Sequence, residues 1–187
     1  SRAPFSELCT WDMPSKTGER KLLVATVSSI NGRPITIAVC HLDEPARDMR
    51  TRIQQLIMID QILGAFPPDV LLCGDFSFGD YSKENAFIRE WRDPWLLLRG
   101  SEEGLTYDPA KNPMCEVLYS SAKPLRRDRI LVRSEYFHPT KVDLVGTKKI
   151  SKLKYKGVQV YPSDHFGVLS VFEPANAPSK PDRCTIM

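Results

Sequence analysis

A layered α/β sandwich is the fold this sequence predicts, and three observations predict it. Short, nearly continuous apolar runs recur at 21–30, 34–41, 69–75, 129–133 and 165–172, rich in Val, Ile and Leu. Between the second and third lies a stretch, 45–63, with apolar residues at helical spacing. The 187 residues are 42% hydrophobic and 26% charged, which suits one domain around one core. No apolar run approaches the ~20 residues of a membrane-spanning helix. The net charge of +3 permits a polyanionic ligand without demanding one.

Residues 1–20 show no clear period. Residues 21–30 read as a strand, and Asn31-Gly32 as a hairpin turn, because that pair tolerates positive φ. Residues 34–41 then form the antiparallel return strand. In 45–63, Met49, Ile53, Leu56, Ile57 and Leu63 share a helical face, and Pro67-Pro68 ends the helix. Residues 69–75 make an apolar strand of the kind covered on both faces. A short helix is expected over 82–91, with Ser82 near its start. Residues 99–125 are loop-rich, with Gly100, Gly104, Pro109, Pro113 and Pro124. Residues 129–133 and 165–172 supply the last strands. From Pro174 the chain is too poor in apolar residues to join a core. The predicted organisation is a domain over 1–173 and a flexible tail over 174–187.

Cysteines stand at 9, 40, 73, 115 and 184. The number is odd and no pair has CxxC spacing, which argues against a disulfide framework or a zinc knuckle. Cys40 and Cys73 read as buried free thiols, in keeping with a reducing compartment.

Polar residues collect where apolar strands meet loops. The strand 34–41 ends in His41. The strand 69–75 ends in Gly74-Asp75, followed by Phe76-Ser77. Arg127-Asp128-Arg129 opens the strand after it, and Ser163-Asp164-His165 opens the last. Each is weak alone: a Gly-Asp is usually a turn, a single His is usually structural, and Asp128 between arginines makes an ordinary ion pair. Their combination and order are far more specific.

His41-Leu42, Gly74-Asp75-Phe76-Ser77, Asp128-Arg129-Ile130-Leu131 and Ser163-Asp164-His165 together resemble the endonuclease/exonuclease/phosphatase family of metal-dependent phosphoesterases. Within it the chain is similar to the 5′-tyrosyl-DNA phosphodiesterase branch. The likeness rests on Arg52-Ile-Gln-Gln55, the Trp91/Asp93/Trp95 segment, Leu105-Thr-Tyr-Asp108 with Asn112, Val142–Gly146 and Pro162–His165. It spans about 13–173.

The resemblance implies hydrolysis of a phosphodiester with Mg²⁺, or Mn²⁺, as a hard cation that neutralises the phosphate. It implies that Asp75 positions the attacking water and that Ser77 assists two residues later. Asp128 is expected to hydrogen-bond His165, so that the ring's other nitrogen can donate to phosphate, with His41 nearby. Asp164 is expected to support the metal together with Asp75. Tyr107 stands where the branch has a tryptophan, either as a base-stacking platform or as an ordinary surface tyrosine. Arg20, Arg52 and Arg127 are either phosphate contacts or structural ion pairs. The implied partner is a nucleic acid with a modified or protein-linked 5′ end.

The sequence departs from the family in two places. The family begins with an Asn and a metal-binding Glu at early strand ends, and residues 1–20 supply neither. Glu7 has no suitable strand before it. The fold is therefore expected to lack its first strands, to expose sheet edges and to need an upstream segment or partner chain. Ser77 also stands where the family usually has Asn, a hydroxyl of shorter reach.

The last four residues, Cys184-Thr-Ile-Met187, match a prenylation box, with Cys184 as the acceptor. A single chain anchors weakly. The expected setting is intracellular, cytoplasmic or nuclear, and membrane-associated if Cys184 carries a lipid. Two other readings stay open. A phosphoinositide 5-phosphatase shares the Asp-Arg element, but Phe166-Gly167 and Thr106-Tyr107-Asp108 fit the tyrosyl-DNA branch better. A truncated, non-catalytic binding domain is the other.

Overall fold

Five strands pair side by side in chain order: β1 (Phe5–Met13), β2 (Arg20–Ile30), β3 (Arg33–His41), β4 (Val70–Asp75) and β5 (Asp128–Arg133). The structure, a computed structural model, describes residues 5–16, 18–30, 32–44, 48–118, 123–150 and 152–175. Cys184 and nearly all of the expected tail lie outside the described residues. β1, β2 and β3 are antiparallel neighbours, with Ile30 opposite Arg33 across the turn and Gly32 at φ 82°. Helix α1 (Met49–Leu63) carries the chain from β3 to β4, which run parallel, and β5 returns antiparallel to β4.

The period of two along each strand sorts the side chains onto two faces. Leu22, Val24, Ala38, Cys40, Val70, Leu72 and Leu131 face α1, where Leu56, Ile59 and Leu63 meet them. Full burial of each such aliphatic side chain stabilises by ~1.5–3 kcal/mol. The opposite face is covered at one end by a second sheet, β6 (Phe137–Val145) paired antiparallel with β9 (Gly167–Pro174). Phe137 and Phe172 pack there on Val27, Ile35, Ile37 and Leu71. Farther along the same face, Leu8, Leu23 and Val39 remain 69%, 40% and 43% exposed. A small hairpin joins β7 (Lys154–Tyr155) to β8 (Val158–Gln159).

Several expectations need correction. Residues 5–13 form a strand despite having no apolar period, because β2 supplies the pairing along Met13↔Arg20 to Leu8↔Ala25. β6 was not expected either. Pro139 interrupts its run, and the pairing shifts register between Pro139 and Lys141, where a proline can be housed. The helix expected over 82–91 is a 3₁₀ turn over Lys83–Phe87. The loop-rich region contains α3 (Met114–Leu118), and just before it lies α2 (Pro94–Arg99), started by Asp93, whose carboxylate accepts from Trp95 N, with Pro94 at the first helical position. In α1 the buried stripe includes Arg52 and Gln55, while Ile57 is exposed. Cys9, Cys40, Cys73 and Cys115 are free thiols. Burial pushes the Cys73 thiol up to about 11.

Candidate active site at the strand ends

Strand register builds the site. His41, Asp75 and Asp128 are direct partners across β3, β4 and β5, so the three stand in one row at the same end of the sheet. The backbone continues the pairing past the ends: Leu42 N donates to Asp75 O, and Phe76 N to Arg127 O, each at 2.9 Å. Gly74 makes the row possible. It sits at φ 141°, and a β-carbon there would lie 1.8 Å from Cys40 O. Immediately after Asp75 the chain turns at Ser77, which holds a left-handed φ of 57°. Ser77 N donates to Asp75 Oδ1 at 2.7 Å and Ser77 Oγ to Leu42 O at 3.1 Å.

His165 reaches the row from the loop before β9. Its Nδ1 lies 2.7 Å from Asp128 Oδ2. Two residues that sequence reading did not assign hold this loop. Thr106 Oγ1 accepts from both Arg127 N and Asp128 N at 3.0 Å, and Thr106 O accepts from Phe166 N at 2.7 Å. Asn112, noted only as part of the resembling loop, donates to Ser163 O at 2.8 Å and Asp164 O at 3.1 Å. The loop 105–112 thus fastens the start of β5 and the Ser-Asp-His segment to each other.

Arg127 completes the cluster. Its Nη2 donates to Asp75 Oδ2 at 3.1 Å and to Glu44 Oε1, and its Nε to Asp75 Oδ1 at 3.4 Å. His41 Nε2 lies 3.6 Å from Asp75 Oδ2 and 3.8 Å from Glu44 Oε1. Glu44 was missed in the sequence. Its only local signal is its place three residues after His41.

The electrostatics follow from this crowding. Burial raises the Asp75 pKa above the usual carboxylate range, and Asp128 adds like-charge repulsion, against the opposing Ser77 hydrogen bond and the two histidines. Burial works against charge on His165, but the hydrogen bond and charge of Asp128, helped by Asp75, outweigh it and raise its pKa. Burial lowers the His41 pKa, and Arg20 and Arg127 lower it further against the pull of Asp75. The site therefore pairs a carboxylate suited to accept a proton with an imidazolium suited to donate one.

Not every expected residue faces this site. Arg52 is buried in α1, donating to Glu84 and to Asp43 O. With its side chain only 3% exposed, it serves as a structural ion pair. Tyr107 is only 4% exposed, its hydroxyl donates to Cys115 O at 3.2 Å, and its ring sits edge-on to His165 at 4.9 Å. It supports the histidine and is too enclosed to stack on a base. Arg20 pairs with Asp43 at 3.6 Å, next to the row rather than in it. Asp164 presents its carboxylate to Ser163 Oγ at 3.2 Å.

A divalent ion such as Mg²⁺ takes hard oxygen donors. Two groups bring such donors within 4.8 Å of one another: His41, Glu44 and Asp75, and Asp75, Asp128 and His165. Asp164 belongs to neither group. In the first group Arg127 already bridges both carboxylates, and in the second His165 already holds Asp128. The described residues therefore form a closed set of ion pairs and do not fit a divalent ion as they stand.

No family model and no curated protein matches the chain. Solved structures do. A humanized D. rerio TDP2 matches with a TM-score of 0.72 and 25% identity, over 90% of this chain and 67% of that one. D. rerio TDP2 complexed with a single-strand DNA product gives 0.73 and 23%, over 90% and 68%. The fold is of the endonuclease/exonuclease/phosphatase type. This TDP2-like fold also matches a mannosyl-6-phosphatase of Bacteroides thetaiotaomicron, with a TM-score of 0.63 and 17% identity over 91% and 67%. The chain spans about two thirds of the length of these structures.

Proposed function

We propose that this chain carries the phosphate-cleaving part of a phosphodiesterase domain that acts at nucleic-acid ends, in the manner of 5′-tyrosyl-DNA phosphodiesterases. The observation that supports this best is the row His41–Asp75–Asp128 with His165 locked onto Asp128 at 2.7 Å. A row with one raised carboxylate and one raised imidazole has little structural purpose and suits proton transfer around a phosphate.

In this reading Asp75 accepts a proton from the attacking water. His165, with Nδ1 committed to Asp128, donates from Nε2 to a phosphoryl oxygen, and Arg127 and His41 stabilise the charge that develops there. Ser77 fixes the Asp75 carboxylate through its backbone N–H. A cleft of about 520 Å³ opens beside Ser77, bordered by Tyr81, Lys83 and Lys123 among others. Tyr81 is fully exposed and is the aromatic available to a base at this rim. The relative bound to a single-strand DNA product favours nucleic acid over lipid.

The resemblance implies Mg²⁺ or Mn²⁺ to neutralise phosphate charge, an ion that the described residues, already paired with one another, do not fit. The chain's own groups would hold the phosphate and manage its protons. The test is cleavage of a 5′-phosphotyrosyl oligonucleotide with Mg²⁺ and with chelator, by this chain and by Asp75→Ala. Cleavage that the substitution removes supports the reading. A chain that leaves this substrate intact but releases phosphate from a phosphoinositide overturns it in favour of a lipid phosphatase. Tight oligonucleotide binding without cleavage in either condition favours a binding domain.

A further inference from the structure

We infer that Arg127, clamped between Asp75 and Glu44, is the resident cation of this site, and that the chain captures a phosphate through it without a divalent metal. This rests on the reading that the site receives a phosphate, and adds which group receives it and what competes for that group.

The guanidinium is placed rather than loosely paired. Its backbone is pinned on both sides, N–H to Thr106 Oγ1 at 3.0 Å and C=O to Phe76 N at 2.9 Å. Its plane rests over the Tyr107 ring at 5.2 Å, and that ring is itself tied to Cys115. From there Nε and Nη2 both address Asp75, while Nη2 also meets Glu44 and lies 3.4 Å from Ser77 Oγ. Bidentate recognition of this kind matches a carboxylate and a phosphate equally well.

The same atoms define what Arg127 displaces. The ligand atoms of His41, Glu44 and Asp75 lie within 4.8 Å of one another, close enough to share a small cation, and Arg127 fills that role for both carboxylates. Glu44 is the exchangeable partner. Its side chain is 31% exposed, against 12% for Asp75 and 10% for Arg127. An arriving phosphate can take the place of Glu44 on the outer side of the fork while Asp75 keeps the inner side. Glu44 is then a positioning residue. It holds Arg127 ready and sets the cost of exchange.

Two measurements on the metal-free chain test this. The first is Mn²⁺ uptake, followed by the paramagnetic resonance of the free ion. The unsubstituted chain is expected to take up Mn²⁺ weakly. Arg127→Met frees the carboxylates and should bind it roughly tenfold tighter, and adding Glu44→Gln should remove the gain. The second is anisotropy of a 5′-phosphorylated oligonucleotide in chelator and in Mg²⁺, against its unphosphorylated twin. The phosphate preference should persist in chelator, fall about tenfold in Arg127→Met and rise in Glu44→Gln. Circular dichroism checks folding. Should Arg127→Met fail to fold, Arg127→Lys is read instead; it keeps the charge without the fork and should lose part of the preference. Mn²⁺ uptake by the unsubstituted chain as tight as by Arg127→Met overturns the inference. So does a phosphate preference seen only with Mg²⁺, which would leave the phosphodiesterase reading standing. No phosphate preference in either condition overturns both.

Discussion

Arg126 and Arg127 are neighbours in the chain, yet they enter charge clusters of opposite character. Arg126 donates to Asp80 and, at 2.8 Å, to Asp93, and its side chain is 2% exposed. Burial works against its charge, but the two carboxylates more than offset this and raise its pKa. Beside it, Arg129 stacks on Phe78 and donates to Asn85 and to Phe78 O. Burial and the charge of Arg126 hold Arg129 down at about 10. That cluster faces inward and nearly every charge in it has a partner. The Arg127 cluster lies at the strand ends with His41 half-exposed, and it keeps a conflict: burial, and then repulsion from Asp128, make Asp75 hold its proton more readily than an ordinary carboxylate. The inward charges are matched, whereas those at the strand ends keep an unrelieved repulsion, the mark of a candidate functional site.

The largest expected difference comes from substituting one carboxylate on each side. Asp75→Asn should lower cleavage by ~10²–10⁴-fold, the usual worth of a positioned acid or base. Its urea midpoint should fall far less than that of Arg126→Ala, since the lost pair with Arg127 is offset by relief of the Asp128 repulsion and of a buried charge. Arg126→Ala should instead cost about 3–5 kcal/mol in urea unfolding, because Asp80 and Asp93 lose the cation between them. A stability loss in Asp75→Asn as large as that in Arg126→Ala would erase the distinction.

Asp128→Asn should act through pH. The His165 pKa is raised in the fold, so the stability it contributes is complete below its unfolded value near 6.5 and is lost as pH rises through the raised folded value. With Asn at 128 that contribution should vanish and the alkaline limb of the cleavage profile should move to lower pH. NMR of the His165 ring reads the shift directly. An unmoved ring titration would mean that Asp128 does not control it. The smallest effects separate two tyrosines. Tyr107→Phe should cost about 1 kcal/mol of stability through its lost bond to Cys115 O. Tyr81→Ala should leave stability within ~0.5 kcal/mol, as surface changes do, and weaken oligonucleotide binding by at least ~1 kcal/mol. The reverse pattern would restore Tyr107 as the stacking residue.

The central strands were legible because β2, β3, β4 and β5 are nearly continuous apolar runs whose ends carry charged and polar residues. β1 was not, since Glu7, Thr10 and Asp12 alternate with nothing consistent, and its partner strand defines it. Pro139 hid β6 for the same reason: the register shift that accommodates it belongs to the pairing with β9. Of the site, the row of His41, Asp75 and Asp128 and the approach of His165 were readable as an ordered set of motifs. The parts played by Glu44 and Thr106 were not, because their bonds to Arg127 span 83 and 21 residues of chain. Arg52 misled in the other direction. A buried arginine in a helix and an exposed one are identical until Glu84 is seen beside it.

Gly74 carries a consequence for how this site can vary. Where β3 and β4 run closest, the space for a β-carbon is taken by the Cys40 carbonyl oxygen. Any side chain there would wedge the strands apart just before His41 and Asp75, and the two would lose their 3.6 Å approach. The spacing of the chemistry is thus written in an atom the chain leaves out. A saturation library should return position 74 nearly empty, while exposed charged positions away from the site, such as Lys148 and Lys149, accept many replacements.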